Sequence, residues 1–257
     1  MKHLDIKYKS WGMARTVSAD IPETLSEATT QQFLALLLLS QESITEERFF
    51  RMFFGIEERV LALLDPFQLY TLAEQLRGLW NITKTDRFFI GSFHVDDLTF
   101  LAPSRQLRDM PFQQFMTADQ FFQWAGYTGN DHYYCAMTAA LYLPEGTDFF
   151  LYDHAAMTEL LTSWGDQALM RGIALNWSLI RVWLAEAYPH LFPQPEQSVA
   201  TDSGSVPKKT RPGSWLTIFD TLVGDDLSRI STYPHLPAMD VIRILNRRIK
   251  EQKKNRT

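Results

Sequence analysis

Between Pro189 and Gly213 the chain carries Pro193, Pro195, Ser198, Ser203, Gly204, Ser205, Pro207 and Pro212, with few large apolar residues. A stretch of this kind has no hydrophobic face to bury and reads as a flexible linker. Folding must therefore be organised on either side of it. The division this predicts is a body over residues 1–190, a linker over 191–213 and a C-terminal module over 214–257. Charge follows the same division. Residues 1–207 hold 14 Lys and Arg against 25 Asp and Glu, a balance of −11, whereas residues 208–257 hold 11 against 5, a balance of +6. An acidic body with a basic tail suggests self-docking, or a tail that seeks an acidic partner or nucleic acid.

The body reads as helical. Hydrophobic residues make up 46% of the chain and aromatics 13%, enough for a real core. Residues 1–20 are mixed in character and read as a lightly ordered lead-in, with an extended piece at Leu4–Tyr8. Thr29 or Thr30 can cap a helix running to about Ser40, and Ser43 or Thr45 one through Phe49–Phe54 that stops at Gly55. A short helix follows near Glu57–Leu64, and Asp65-Pro66 opens another through Leu69, Leu72, Leu76 and Leu79. Thr117-Ala118-Asp119-Gln120 predicts the start of a helix through Trp124, Asn130 or Asp131 one through Leu141, and His154–Trp164 and Asp166–Tyr188 two more. From Arg87 the period changes. Phe88–Val95 and Leu98–Leu101 are short, aromatic and β-branched, predicting a small hairpin or two short strands near 87–102, the clearest β element of the chain. The fold class expected is mainly α: a multi-helix globular body with that hairpin, a flexible linker and a C-terminal helical module.

Chemical signatures are sparse. His94-Val95-Asp96-Asp97 could place His94 and Asp96 on one face of a strand as metal ligands or an acid–base pair. The plainer reading is the polar tip of a hairpin, with the aspartates accepting backbone amides. No third ligand stands at a diagnostic spacing. Asp131-His132 and Asp153-His154 are neighbours that do not face each other on a helix and read as helix starts. Cys135, the single cysteine, falls on a helix and reads as core, which suits a reducing compartment. GxSxG, Walker-type, GxGxxG, HExxH and CxxC patterns are all missing from the sequence. The expectation is a protein that is not an enzyme, with no catalytic residues, no cofactor, no metal and no small-molecule substrate. The N-terminal residues have no signal-peptide character, and the longest apolar run, Phe33–Leu39, is far below the roughly 20 residues of a membrane span. A cytoplasmic location without membrane contact is expected.

The C-terminal module carries the sharper signal. Ser214 can cap a helix in which Trp215, Ile218, Phe219, Leu222 and Val223 fall at i, i+3, i+4, i+7 and i+8. Gly224 ends it, and Pro237 opens a last helix with Arg243, Arg247 and Arg248 beside an apolar stripe. Two helices have no room for a core of their own, so Trp215 and Phe219 must bury against the body or against a partner. Trp215, Ile218, Phe219, Leu222, Arg243, Arg247 and Arg248 are the candidate partner-binding residues. Nucleic acid is not the expected partner, because the basic run lacks the interleaved aromatics of a single-strand groove.

Two stretches carry a resemblance. Ile21-Pro22-Glu23-Thr24-Leu25 through Gln31-Gln32-Phe33 is similar to the opening of uncharacterised tail-region proteins of phages and prophages from Bacteroidetes, with Leu25 where those proteins have an aromatic. Trp215 through Leu227, followed by the Met239–Glu251 segment, resembles the helical ends of tail assembly proteins. The resemblance covers about a quarter of the chain and brings no chemical motif with it. It implies a tail assembly chaperone or minor tail component in virion morphogenesis, with a tape-measure or tail tube protein as partner. The residues also allow a generic intracellular adaptor with a C-terminal docking module, or a metal-dependent enzyme using His94 and Asp96.

Overall fold

The computed structural model describes residues 1–40, 44–76, 79, 83–192, 215–224 and 228–254. The fold is mainly α, as the periodicity predicts, with two small antiparallel sheets. Two compact units emerge: Met1–Thr85 with Phe89–Gly91, and Asp86–Phe88 with Ser92–Thr257.

The first unit opens with a hairpin where the sequence predicts only a lightly ordered lead-in with an extended piece at Leu4–Tyr8. Strands β1 (Lys2–Ser10) and β2 (Met13–Ile21) pair in register from Lys2 opposite Ile21 to Ser10 opposite Met13. The lead-in is therefore ordered, and it adds a second hairpin to the one expected near 87–102. Leu4, Ile6 and Tyr8 alternate with charged residues, so one face is apolar while the other carries the His3–Asp20 pair at 2.7 Å and the Ser18–Asp5 hydrogen bond at 2.6 Å. Cross-strand polar pairs of this kind stabilise a ribbon whose outer face is solvated. Trp11 and Gly12 form its two-residue loop with φ of 55° and 76°. Positive φ at both positions matches the twist of the flanking strands. Trp11 is 94% exposed at that tip.

Helix α1 (Thr30–Ser40) starts where Thr29 accepts the Gln32 amide, and buries Phe33, Leu36 and Leu37. Helix α2 (Glu46–Phe54) is capped by Thr45, which accepts the Arg48 amide, and closed by Gly55 at φ 70°. Ser43, the other cap considered, lies outside the described residues. Along α2, Phe49 stacks on Phe53 at 5.3 Å and Phe54 meets Phe53 edge-on at 4.9 Å. Helix α3 (Glu58–Leu61) is a single turn, and α4 (Pro66–Glu74) opens on a capping box between Asp65 and Gln68.

One buried amide ties this unit together. Gln32 Nε2 donates to the carbonyls of Asp20 at 2.9 Å and Phe53 at 3.2 Å, while its Oε1 accepts from the Thr29 backbone at 3.0 Å. Replacing Gln32 by leucine leaves those groups without partners. We expect a loss of about 1–3 kcal/mol in urea unfolding; an unchanged midpoint would show that the amide is dispensable.

The second unit holds a three-stranded sheet in the order β3 (Ser92–Val95), β4 (Leu98–Leu101), β5 (Leu143–Pro144). Phe93 and Phe100, directly opposite across the hairpin, stack at 5.0 Å. Helix α5 spans Phe112–Thr128, so Thr117–Gln120 is mid-helix and not a helix start. The true start is set by Pro111, extended at φ −61° and ψ 150°, and the polar residues at 117–120 include one, Asp119, that faces inward. Helices α6 (His132–Leu141), α7 (His154–Trp164) and α8 (Gln167–Ala187) follow. Asp153 and Asp166 cap the last two, each accepting a backbone amide at 3.0 Å.

The chain after α8 does not at once become linker. Leu191 and Phe192 are buried, and Asn246 Oδ1 accepts the amides of His190 and Leu191 at 2.9 and 3.1 Å. The rest of the linker stretch, and Ser214, lie outside the described residues. Helix α9 (Trp215–Val223) ends at Gly224, α10 (Ser228–Thr232) is short, and α11 spans Ala238–Lys254. Helices α5 and α11 begin back to back. Pro111 and Pro237 face each other across an antiparallel bridge, with Phe112 N–H donating to Leu236 at 2.9 Å and Ala238 N–H to Met110 at 2.8 Å. Neither proline has an N–H to lose, so both helices start without an orphaned donor at that position.

Candidate docking surface

The seven residues singled out in the C-terminal module separate into an inner and an outer set. Trp215 and Phe219 are buried within the second unit, and Ile218 is half-buried. The Leu222 side chain lies outside the described residues. Of the two alternatives for the aromatic anchors, the described packing is against the body. The Trp215 ring meets Phe112, Phe115 and Phe192 at centroid distances of 6.0, 5.2 and 5.9 Å, the first two edge-on. That arrangement suits the quadrupoles of the rings.

The polar end of Trp215 finds a partner that the sequence reading missed. Asp119 projects from the buried face of α5 at a position four residues after Phe115, and its side chain is fully buried. Its Oδ2 accepts from Trp215 Nε1 at 2.8 Å and Gln123 Nε2 at 2.7 Å; its Oδ1 accepts from Trp177 Nε1 at 3.2 Å. Arg181 Nε lies 2.9 Å from Oδ1 as a charge contact without hydrogen-bond alignment, and its guanidinium sits 5.2 Å over the Phe122 ring. One carboxylate thus holds α5, α8 and α9 together. The signal was present in the sequence: an Asp on the Phe112, Phe115, Ala118 face of a helix demands buried donors.

The outer set lies on α11. Ala238, Val241, Ile242 and Leu245 form its buried stripe, while Arg243, Arg247 and Lys250 are exposed at i, i+4 and i+7. Arg243 pairs with Asp240 on its own helix at 3.0 Å. Arg247 and Lys250 make no ion pair or hydrogen bond among the described residues. Arg248 is half-buried and turned off this face.

The remaining candidates are placed as follows. His94 is on β3 with Nδ1 3.0 Å from the Thr99 hydroxyl across the hairpin, and Asp96 sits in the turn at φ 50°. No group of three metal-capable side chains occurs among the described residues. Asp131 pairs with Arg171 at 3.2 Å, and Asp153 caps α7. His154 Nε2 donates to the Ala136 carbonyl at 2.9 Å, and burial pushes its imidazole below the usual range. Cys135 is buried on α6, and burial pushes its thiol up, away from a reactive thiolate. None of the described helices is long and apolar enough to cross a membrane.

No family model, curated protein or solved structure matches this chain.

Proposed function

We propose that the chain is a non-catalytic protein of phage or prophage tail morphogenesis, a tail assembly chaperone or minor tail component, acting through protein–protein contacts. The observation that carries the contact surface is the exposed Arg243, Arg247, Lys250 face of α11, on a helix whose opposite side is buried. A helix anchored along one face presents its cations at fixed positions, so their rotamer entropy is the main ordering cost left on binding. The exposed cations favour a partner segment carrying carboxylates at matching helical spacing. The resemblance of the 21–33 and 215–227 stretches supplies the tail context, and a tape-measure protein, a long helix that needs cover during assembly, is the partner it suggests.

Co-expression with a candidate tape-measure protein tests this. A stable complex is expected, weakened at least about tenfold by Arg247→Glu with Lys250→Glu and weakened less at high salt. Both positions are exposed, so the double variant should keep the unfolding midpoint of the parent. Absence of a complex, or one indifferent to the charge reversal, would overturn the proposal. Binding of nucleic acid in place of protein would do so too.

A further inference from the structure

A cleft on the second unit, whose lining includes none of the exposed α11 cations, has its own chemistry. Two depressions share Asp109, Gln114, Leu143 and Thr147 and so run together; the larger encloses about 540 Å3. Gln114, in the first turn of α5, is only 4% exposed. Its Nε2 donates to the carbonyls of Ala140 and Leu141 at 2.8 and 3.2 Å, groups that the end of α6 leaves without helical partners. Facing two carbonyls, that atom must be the NH2 group, so the amide orientation is fixed by the network. Oε1 is then the atom left over, an acceptor with no donor among the described residues, on a side chain that lines both ends of the cleft.

The other polar groups of the cleft are acceptors as well. Asp109 uses Oδ1 for the Ser104 backbone and hydroxyl, each at 2.8 Å, and Asp148 uses Oδ1 for the Phe150 amide at 2.8 Å. Each carboxylate keeps Oδ2 without a partner among the described residues. No lysine or arginine lines either depression. One wall is flat and aromatic: His235 stacks on Phe150 with ring centroids 3.8 Å apart. Two carboxylate acceptors, one neutral acceptor on a largely buried side chain and a π surface define the complement, a planar cation rich in N–H donors.

We propose that this cleft binds a guanidinium group, carried by an arginine side chain of a peptide segment or by a free small guanidine. An ammonium supplies charge but neither the planar fork nor a surface to stack. A guanidinium can give two donors to a carboxylate, another to Gln114 Oε1, and lie against the Phe150–His235 wall. This site is independent of the α11 surface, and either can fail without the other.

Calorimetric titration of the full chain tests it with three probes: N-acetyl-arginine amide, agmatine and N-acetyl-citrulline amide. The two guanidines should bind, and citrulline, equal in shape but uncharged, at least about tenfold more weakly. Tighter binding of the capped arginine assigns the cleft to a peptide, tighter binding of agmatine to a small guanidine. Asp109→Asn and Asp148→Asn keep the acceptors that serve the local backbone and should each weaken binding about tenfold. His235→Ala, at an exposed position, gives a second reading through the aromatic wall and should also weaken it. Equal binding of arginine and citrulline, no binding of either guanidine, or indifference to all three substitutions would overturn the proposal.

Discussion

Asp119→Ala lowers the unfolding free energy by about 3–5 kcal/mol, the cost of removing one member of a buried charged network, and urea denaturation will read it. The carboxylate is fully buried and serves two indole N–H groups, an amide and a guanidinium. Arg181, with about a third of its side chain exposed, can turn to water when the carboxylate is gone. The Trp177 ring is wholly inside and cannot. The loss therefore comes chiefly from stranded donors, each costing about 1–3 kcal/mol. Asp119→Asn, which keeps the shape and one acceptor, should fall between the parent and the alanine variant. A loss below about 1 kcal/mol for Asp119→Ala would mean that water replaces the carboxylate and that the network is not what holds the helices.

Trp215→Ala comes next in size, at about 3–5 kcal/mol, because it opens a cavity among Phe112, Phe115 and Phe192 as well as breaking a hydrogen bond. Trp215→Phe separates the two parts. It keeps most of the packing and removes only the N–H, so the expected loss is about 1.5–3 kcal/mol, the range for a bond to a charged group. Combined with Asp119→Ala it should be less than additive, since both variants break the same contact. Additive losses would place the Trp215 contribution entirely in packing. In partner-binding assays both Trp215 variants should act only through the folded fraction, whereas Arg247→Glu with Lys250→Glu should act on affinity at constant stability.

Legibility in the sequence followed the range of the interaction. Helix starts were readable because a cap is a contact over three residues: Thr45, Asp65, Asp153 and Asp166 all sit where their side chains meet the third amide onward. The β3–β4 hairpin was readable from its short aromatic and β-branched runs on either side of Asp96-Asp97. The β1–β2 hairpin obeyed the same period at Leu4, Ile6 and Tyr8, but four charged or ionisable residues interleaved there made the segment look like mixed coil. The Asp119 node was not readable as a node, since its partners come from 58 and 96 positions further along the chain. An amphipathic stripe such as Trp215, Ile218, Phe219 says that a face will be covered. Only the fold says by what, and here it is the protein's own α5.

The back-to-back start of α5 and α11 bears on how the chain matures at the ribosome. Phe112 draws its backbone partner from Leu236, 124 positions later by subtraction of their numbers, and its ring meets Trp215. A nascent chain that has released α5 through α8 still has an open aromatic slot, and a carboxylate short of one indole donor, exposed to solvent or to holdase chaperones. Closure must wait for distant residues, a high contact-order step that slows folding. Synthesis paused before Trp215 would expose that slot for as long as the pause lasts.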